Sequence, residues 1–242
     1  MSGTKFIVIG HRGAAGISPE NTLPSFATAW RLGCTWIELD VHNTKDGDLA
    51  VIHDASLQRT TGRDGLVGDL IAAELTEYDA GNGAHIPTLA EVFALALNTA
   101  SSPAINIELK GAGTASTVAQ FLKARPAACQ KVGLLVSSFD HDELRAFREL
   151  DENTCVAPLF SSWDNGWQLI AMELRAGAVN LSRRACTRDR IRSIRGAGLE
   201  VFVYTVNSVR EAKTLEAYGV SGVFTDRPDR LLRAWHARQG SA

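Results

Sequence analysis

No stretch of the 242 residues is apolar over the roughly 18 positions that a membrane-spanning helix requires. The opening MSGTKFIVIG carries one Lys and then five apolar or small residues, too few for the core of a signal peptide. A mature start at this Met and a cytoplasmic location are therefore expected. Cysteine is scarce: Cys34, Cys129, Cys155 and Cys186 stand alone, none in C-x-x-C spacing. That argues against a zinc cage and against a disulfide framework, and leaves buried thiols as the simplest reading. A surplus of one charge is missing too. The 25 Lys and Arg against 27 Asp and Glu give a net charge of −2, with no basic stripe for nucleic acid and no polybasic segment for a membrane surface. The expected partner is a small molecule, and an anionic one has to be captured by a few local groups.

What the chain does have is a regular alternation. At 45% hydrophobic it can bury a sizeable core, and short apolar runs alternate with helical patterns from end to end. Strands are expected at 5–10, 35–41, 104–110, 132–138, 154–160, 177–182, 199–206 and 221–226. Helix signals lie between them: Thr88 and Glu91 fit a capping box ahead of LAEVFALALNTA, and DHDELRAFREL opens on acidic residues. Eight strands separated by helices in a chain of this length predict an α/β fold, a (β/α)8 TIM barrel filling one domain over 1–242. One segment breaks the rhythm. After the second strand, Asp46-Gly47 signals a tight turn and LAVIH reads as an extra strand returning antiparallel at about 49–53. The stretch from Ala55 to Pro87 is rich in Gly, Thr and Asp and reads as an inserted subdomain or lid.

The strand period places the charges. In TWIELDVH, Ile37, Leu39 and Val41 share one face while Trp36, Glu38, Asp40 and His42 share the other. The third barrel strand repeats this, with Ile105, Ile107 and Leu109 outward and Asn106, Glu108 and Lys110 inward. Glu38, Asp40 and Glu108 then point into one cavity, where uncompensated charge is costly. A divalent cation between them resolves the repulsion, and all-oxygen ligation suits hard Mg²⁺ or Ca²⁺, with Mn²⁺ also admitted, rather than zinc. His11 ends the first strand and His53 the returning one, so both imidazoles reach the C-terminal mouth where barrels place their chemistry. Arg12 and Lys110 add donors suited to a phosphoryl group.

Each feature taken alone has a plainer reading. A histidine after a strand is ordinarily a hydrogen-bonded structural residue, and Glu38 paired with Lys110 needs no metal. A single salt bridge, however, neutralises neither three acids nor accounts for two terminal histidines. In PENT, Asn21 or Thr22 reads as a helix cap, and Asp226 reads as a cap for the last helix. Trp163 and Trp167 form either a wall for substrate or packing under a lid.

Taken together, HRG at 11–13, PENT at 19–22, IELDVHNTKDGDLAVIHD at 37–54, NIELK at 106–110, SSF at 137–139, TVN at 205–207 and TDRP at 225–228 resemble the glycerophosphodiester phosphodiesterase family, in the right order over nearly the whole chain. The resemblance implies a barrel with an insertion after its second strand and hydrolysis of a glycerophosphodiester to sn-glycerol 3-phosphate and an alcohol. It puts His11 and His53 on acid and base positions, Glu38, Asp40 and Glu108 on metal-ligand positions, and Arg12 and Lys110 on phosphate-facing ones. Tyr204 stands where many members carry Trp; with Trp163 and Trp167 it is the expected pocket for the alcohol. Rival classes are a barrel enzyme using a carboxylate-bound metal for carbon chemistry, which needs a base aimed at a C–H bond, and a non-catalytic binding barrel, which would be expected to have lost an acid or a histidine.

Overall fold

In the computed structural model, which describes residues 6–99 and 102–239, eight parallel strands close on themselves. The strands of the sheet are β1 (Ile7–Gly10), β2 (Trp36–Asn43), β3 (Leu49–Val51), β4 (Ala104–Leu109), β5 (Gly133–Ser138), β6 (Cys155–Phe160), β7 (Ala178–Ser182), β8 (Glu200–Tyr204) and β9 (Gly222–Thr225). The order β1-β9-β8-β7-β6-β5-β4-β2 is closed by parallel pairing of β1 with β2. β3 lies outside the ring, antiparallel to the end of β2 through Val41–Val51, His42–Ala50 and Asn43–Leu49. Helices α1 (Leu23–Arg31), α2 (Gln58–Thr61), α3 (Leu89–Leu97), α4 (Thr114–Lys123), α5 (Pro126–Cys129), α6 (His141–Leu150), α7 (Trp167–Glu173), α8 (Arg188–Gly196), α9 (Val209–Tyr218) and α10 (Pro228–Gln239) run between and after the strands. The expected barrel is the observed one. Lys5 of the first expected strand and Ala100 after α3 lie outside the described residues. None of the described helices is long and apolar enough to cross a membrane.

Period two explains why this ring holds. Ile37, Leu39, Val41, Ile105, Ile107 and Leu109 are all buried and pack outward with Phe26, Val92 and Phe147 of the surrounding helices. Each such side chain contributes about 1.5–3 kcal/mol over being left exposed. Inside the ring, Ile9, Leu135, Ala157, Ala178, Phe202 and Phe224 form a separate apolar cluster that closes the barrel floor. Both faces of the sheet are thus buried, as a parallel sheet requires. The cysteines fit the expectation of buried thiols only in part. Cys34 is buried, with its thiol pushed up to about 12 first by that burial, but Cys129 and Cys186 are half-buried and Cys155 is exposed; all four are free.

The stretch 55–87 holds little regular structure: α2 and two short 3₁₀ turns, Val67–Asp69 and Ala72–Glu77. It is nevertheless packed. Leu57, Val67, Leu75, Ala80 and Ile86 join Ala50 and Ile52 in a buried cluster of their own. The segment expected as an inserted subdomain or lid thus has a small core of its own, built by apolar residues at irregular spacing without a helical or strand period.

Candidate active site

The site begins with a turn at the end of β1. Arg12 has φ +48° and Gly13 φ +85°, both in the left-handed region. A Cβ on Gly13 would come within 2.5 Å of Ser25 Oγ, so glycine is required there on two counts. For Arg12 the conformation is uncommon, and such backbone settings are held by surrounding contacts. Here the contacts are visible: the Arg12 N–H donates to Glu38 Oε2 at 2.9 Å, and its carbonyl accepts from Ser25 Oγ at 2.9 Å. Asn21, φ +56°, is also left-handed and donates through Nδ2 to Asp40 Oδ2 at 2.9 Å. PENT is therefore more than a helix start. Thr22 caps α1, Asn21 holds a carboxylate, and Glu20 accepts from Arg12 at 2.9 Å and from Arg59 of the insertion at 2.7 Å.

Register brings the acids together. Glu38 pairs with Asn106 and Asp40 with Glu108 across β2 and β4, so the side chains sit on one inward face. Oxygens of Glu38, Asp40 and Glu108 all lie within 4.8 Å of one another, and all three residues are buried. Lys110 Nζ stands 2.5 Å from Glu108 Oε1 and 3.4 Å from Asp40 Oδ1, and Arg12 Nε stands 3.3 Å from Asp40 Oδ2. Burial disfavours the Asp40 anion, but Lys110 and Arg12 outweigh it and hold its carboxyl below the usual range. At Glu38 and Glu108 burial first, and then the Asp40 charge, outweigh the neighbouring cations, Lys110 beside Glu108 included, and push the two up to about 8 and about 7. Glu38 Oε1 is buried with no hydrogen-bond partner. An orphaned carboxylate oxygen beside two further acids fits a hard divalent cation, so these three residues are the ones that would hold it.

The two imidazoles are oriented by carboxylates of their own. His11 Nδ1 lies 2.7 Å from Asp226 Oδ1, and Asp226 Oδ2 accepts from Asn207 Nδ2 at 2.8 Å. His53 Nδ1 lies 2.5 Å from Asp54 Oδ1, whose other oxygen is bonded by Arg59 Nε. With each Nδ1–H donated to a carboxylate, each Nε2 is left as the unprotonated nitrogen on the cavity side, that of His53 accepting from Lys110. His11 Nε2 is 3.9 Å from Glu38 Oε2, and His53 Nε2 is 3.3 Å from Lys110 Nζ. Burial works against a charged imidazolium in both. At His11 it is overcome by Glu38 and Asp226 and the pKa is raised; at His53 it prevails and the pKa is lowered.

One cavity of about 230 Å³ gathers His11, Arg12, Glu38, His53, Glu108 and Lys110; Asp40 does not line it but contacts the lining residues Arg12 and Lys110. This is the C-terminal mouth of a parallel barrel, the face on which such folds carry chemistry. A model of the glycerophosphoryl diester phosphodiesterase family matches residues 11–230. The chain belongs to that family. It is an enzyme, a phosphoric diester hydrolase. A glycerophosphodiester phosphodiesterase of Bacillus altitudinis is 34% identical over 240 residues, covering 93% of this chain and 96% of its own. One from Caldanaerobacter subterraneus is 31% identical, covering 94% and 97%. The structure of an Oleispira antarctica phosphodiesterase in complex with the product sn-glycerol-3-phosphate superposes with TM-score 0.89 at 30% identity, covering 95% of this chain and 96% of that one.

Not every sequence expectation lands in the phosphodiesterase cavity. Tyr204 lines it, but Trp163 and Trp167 do not: Trp167 is buried in the outer core, and Trp163 packs against that core with Arg190 over its ring at 4.8 Å. The aromatic walls are Phe139, Tyr204 and Phe224. Asp226 does not serve chiefly as a helix cap, since its carboxylate is spent on His11 and Asn207. Asp54, Asn207 and Asn180 also escaped the sequence reading. Two local signals were available: HD at 53–54, an acid next to a histidine, and the TVN motif at 205–207 that contains Asn207.

Proposed function

We propose that the enzyme hydrolyses glycerophosphodiesters to sn-glycerol 3-phosphate and an alcohol, with a divalent cation held by Glu38, Asp40 and Glu108 and with His11 and His53 exchanging protons. The observation that carries this reading is the convergence of three buried carboxylates and two carboxylate-oriented imidazoles on one cavity. The named relatives act in the same class, and the product of the Oleispira antarctica enzyme is the one proposed here. Mg²⁺, Ca²⁺ or Mn²⁺, when bound, supplies Lewis acidity toward a phosphoryl oxygen.

The protein's own groups do the rest. Arg12 and Lys110 line the cavity and present cationic donors to the phosphate. One imidazole takes the proton of the attacking oxygen, whether water or a substrate hydroxyl, and the other gives a proton to the departing alkoxide. Asp226 and Asp54 keep each Nδ1 protonated, so that Nε2 is the atom that exchanges. The insertion acts as a lid. It contributes Arg59, which ties Asp54 to Glu20 and so couples the segment 55–87 to both the His53 and the Arg12 sides of the site. The test is release of sn-glycerol 3-phosphate from a panel of glycerophosphodiesters, before and after exhaustive chelation and after re-addition of each cation. Turnover of the panel that stops with chelation supports the reading; turnover unchanged by chelation removes the metal from it.

A further inference from the structure

Across the ring from the acids lies a wall that the chemistry above leaves unused. β7 stands diametrically opposite β2, and β8 opposite β4, in the closed order of eight strands. From β7, Asn180 reaches the cavity with its residue fully buried, and neither Nδ2 nor Oδ1 has a hydrogen-bond partner. Its strand neighbours are Leu159 and Phe202, beside which an apolar side chain of similar size would pack without stranding an amide. Two further orphans face the same space. Tyr204 Oη has no partner, and Asn106 donates to Ser137 while its Oδ1 is left unmatched. Buried polar groups without partners are rare in folded proteins, and three around one cavity point to a ligand that supplies them.

We infer that Asn180, with Tyr204 and Asn106, binds the two free hydroxyls of the substrate's glycerol end; this rests on the phosphodiesterase reading above. An amide edge offers a donor and an acceptor side by side, which is what two hydroxyls on adjacent carbons can answer. Nδ2 donates to one hydroxyl oxygen and Oδ1 accepts the proton of the other. Leu159 and Phe224 give the carbon skeleton an apolar surface. Charge decides which end of the diester enters. The wall contributed by β6 to β9 and the residue after β8, namely Leu159, Asn180, Tyr204, Thr205 and Phe224, is uncharged throughout. A neutral polyol is accommodated there, and a cationic or anionic head group is directed to the mouth.

The test compares inhibition of glycerophosphocholine hydrolysis by sn-glycerol 3-phosphate and by 1-propyl phosphate, which lacks the hydroxyls. The wild-type enzyme is expected to prefer the glycerol compound by about 10- to 100-fold, the discrimination available to a site built to hydrogen-bond hydroxyls through a few groups. In Asn180→Leu the preference collapses to about threefold or less, through weaker glycerol phosphate binding at unchanged propyl phosphate binding, and the melting temperature does not fall. Tyr204→Phe, which removes one oxygen only, lowers the preference part of the way and serves as the second variant if Asn180→Leu folds poorly. Equal wild-type binding of the two phosphates overturns the inference alone, as does a preference that survives in both variants. A wild-type enzyme unable to hydrolyse glycerophosphocholine or other glycerophosphodiesters defeats the phosphodiesterase reading and takes this inference with it.

Discussion

At the scale of single residues, the decisive feature is that each candidate proton carrier has its Nδ1 fixed by a carboxylate, His11 by Asp226 and His53 by Asp54. His11→Ala and His53→Ala are each expected to lower kcat by about 10²- to 10⁴-fold, the range for a positioned acid or base, with an unchanged melting temperature; near-full activity in either variant removes that histidine from the mechanism. Asp226→Asn keeps the shape but not the acceptor charge, so kcat falls with little change in KM, and Asp226→Glu restores part of it. A loss confined to KM would mark Asp226 as a substrate contact instead. The three acids were legible in the sequence because strand periodicity fixes a side chain's face from its neighbours. Asp226 was not, since it stands 215 positions from His11 and meets it only when β9 pairs with β1. Asn180 was illegible for a similar reason: an Asn in an apolar strand is unremarkable until its amide is seen to lack partners. Trp163 and Trp167 show the converse, because an aromatic in a loop carries no signal for which side it faces.

Among the elements, strands were the easiest to anticipate and their ends the least. Expected runs such as 104–110, 199–206 and 221–226 overran β4, β8 and β9, and the overrun residues include Lys110 and Asp226 of the site itself. Loop geometry takes over at the C-terminal ends, where no period helps. Caps were legible because they are local. Thr88 and Glu91 form the expected box on α3, with Glu91 accepting from the Thr88 N–H at 2.8 Å. Burial of Glu91 disfavours its anion, but the Thr88 N–H and His85 outweigh it and hold the carboxyl below its ordinary 4.5. The sign follows: a depressed acid stabilises the fold above its unfolded pKa, and that contribution is lost as pH falls through the folded one. Glu91→Gln should therefore lower the melting temperature at pH 7 by a few degrees, and the gap between variant and parent should close in acid. A gap that persists unchanged at about pH 3 would show that the carboxylate charge contributes nothing.

For the molecule as a whole, a net charge of −2 conceals a concentrated anionic centre inside an otherwise balanced surface. Closure of the barrel is what concentrates it, by setting β2 beside β4 and facing both with an uncharged wall. A cation that binds this centre only in the folded state must stabilise the fold, by about 2.7 kcal/mol at 100 times its dissociation constant. For a chain of this length that is a rise of roughly 5–10 °C in melting temperature, and a scan with and without divalent ions that showed no rise would exclude a tight folded-state site. The most direct measurement is titration of the metal-free enzyme with Mn²⁺, followed by electron paramagnetic resonance, for the wild type and for Glu38→Gln, Asp40→Asn and Glu108→Gln. The account predicts one tight site per chain in the wild type, weakened in all three variants alongside activity. Mn²⁺ binding that is unaltered by these substitutions would contradict it.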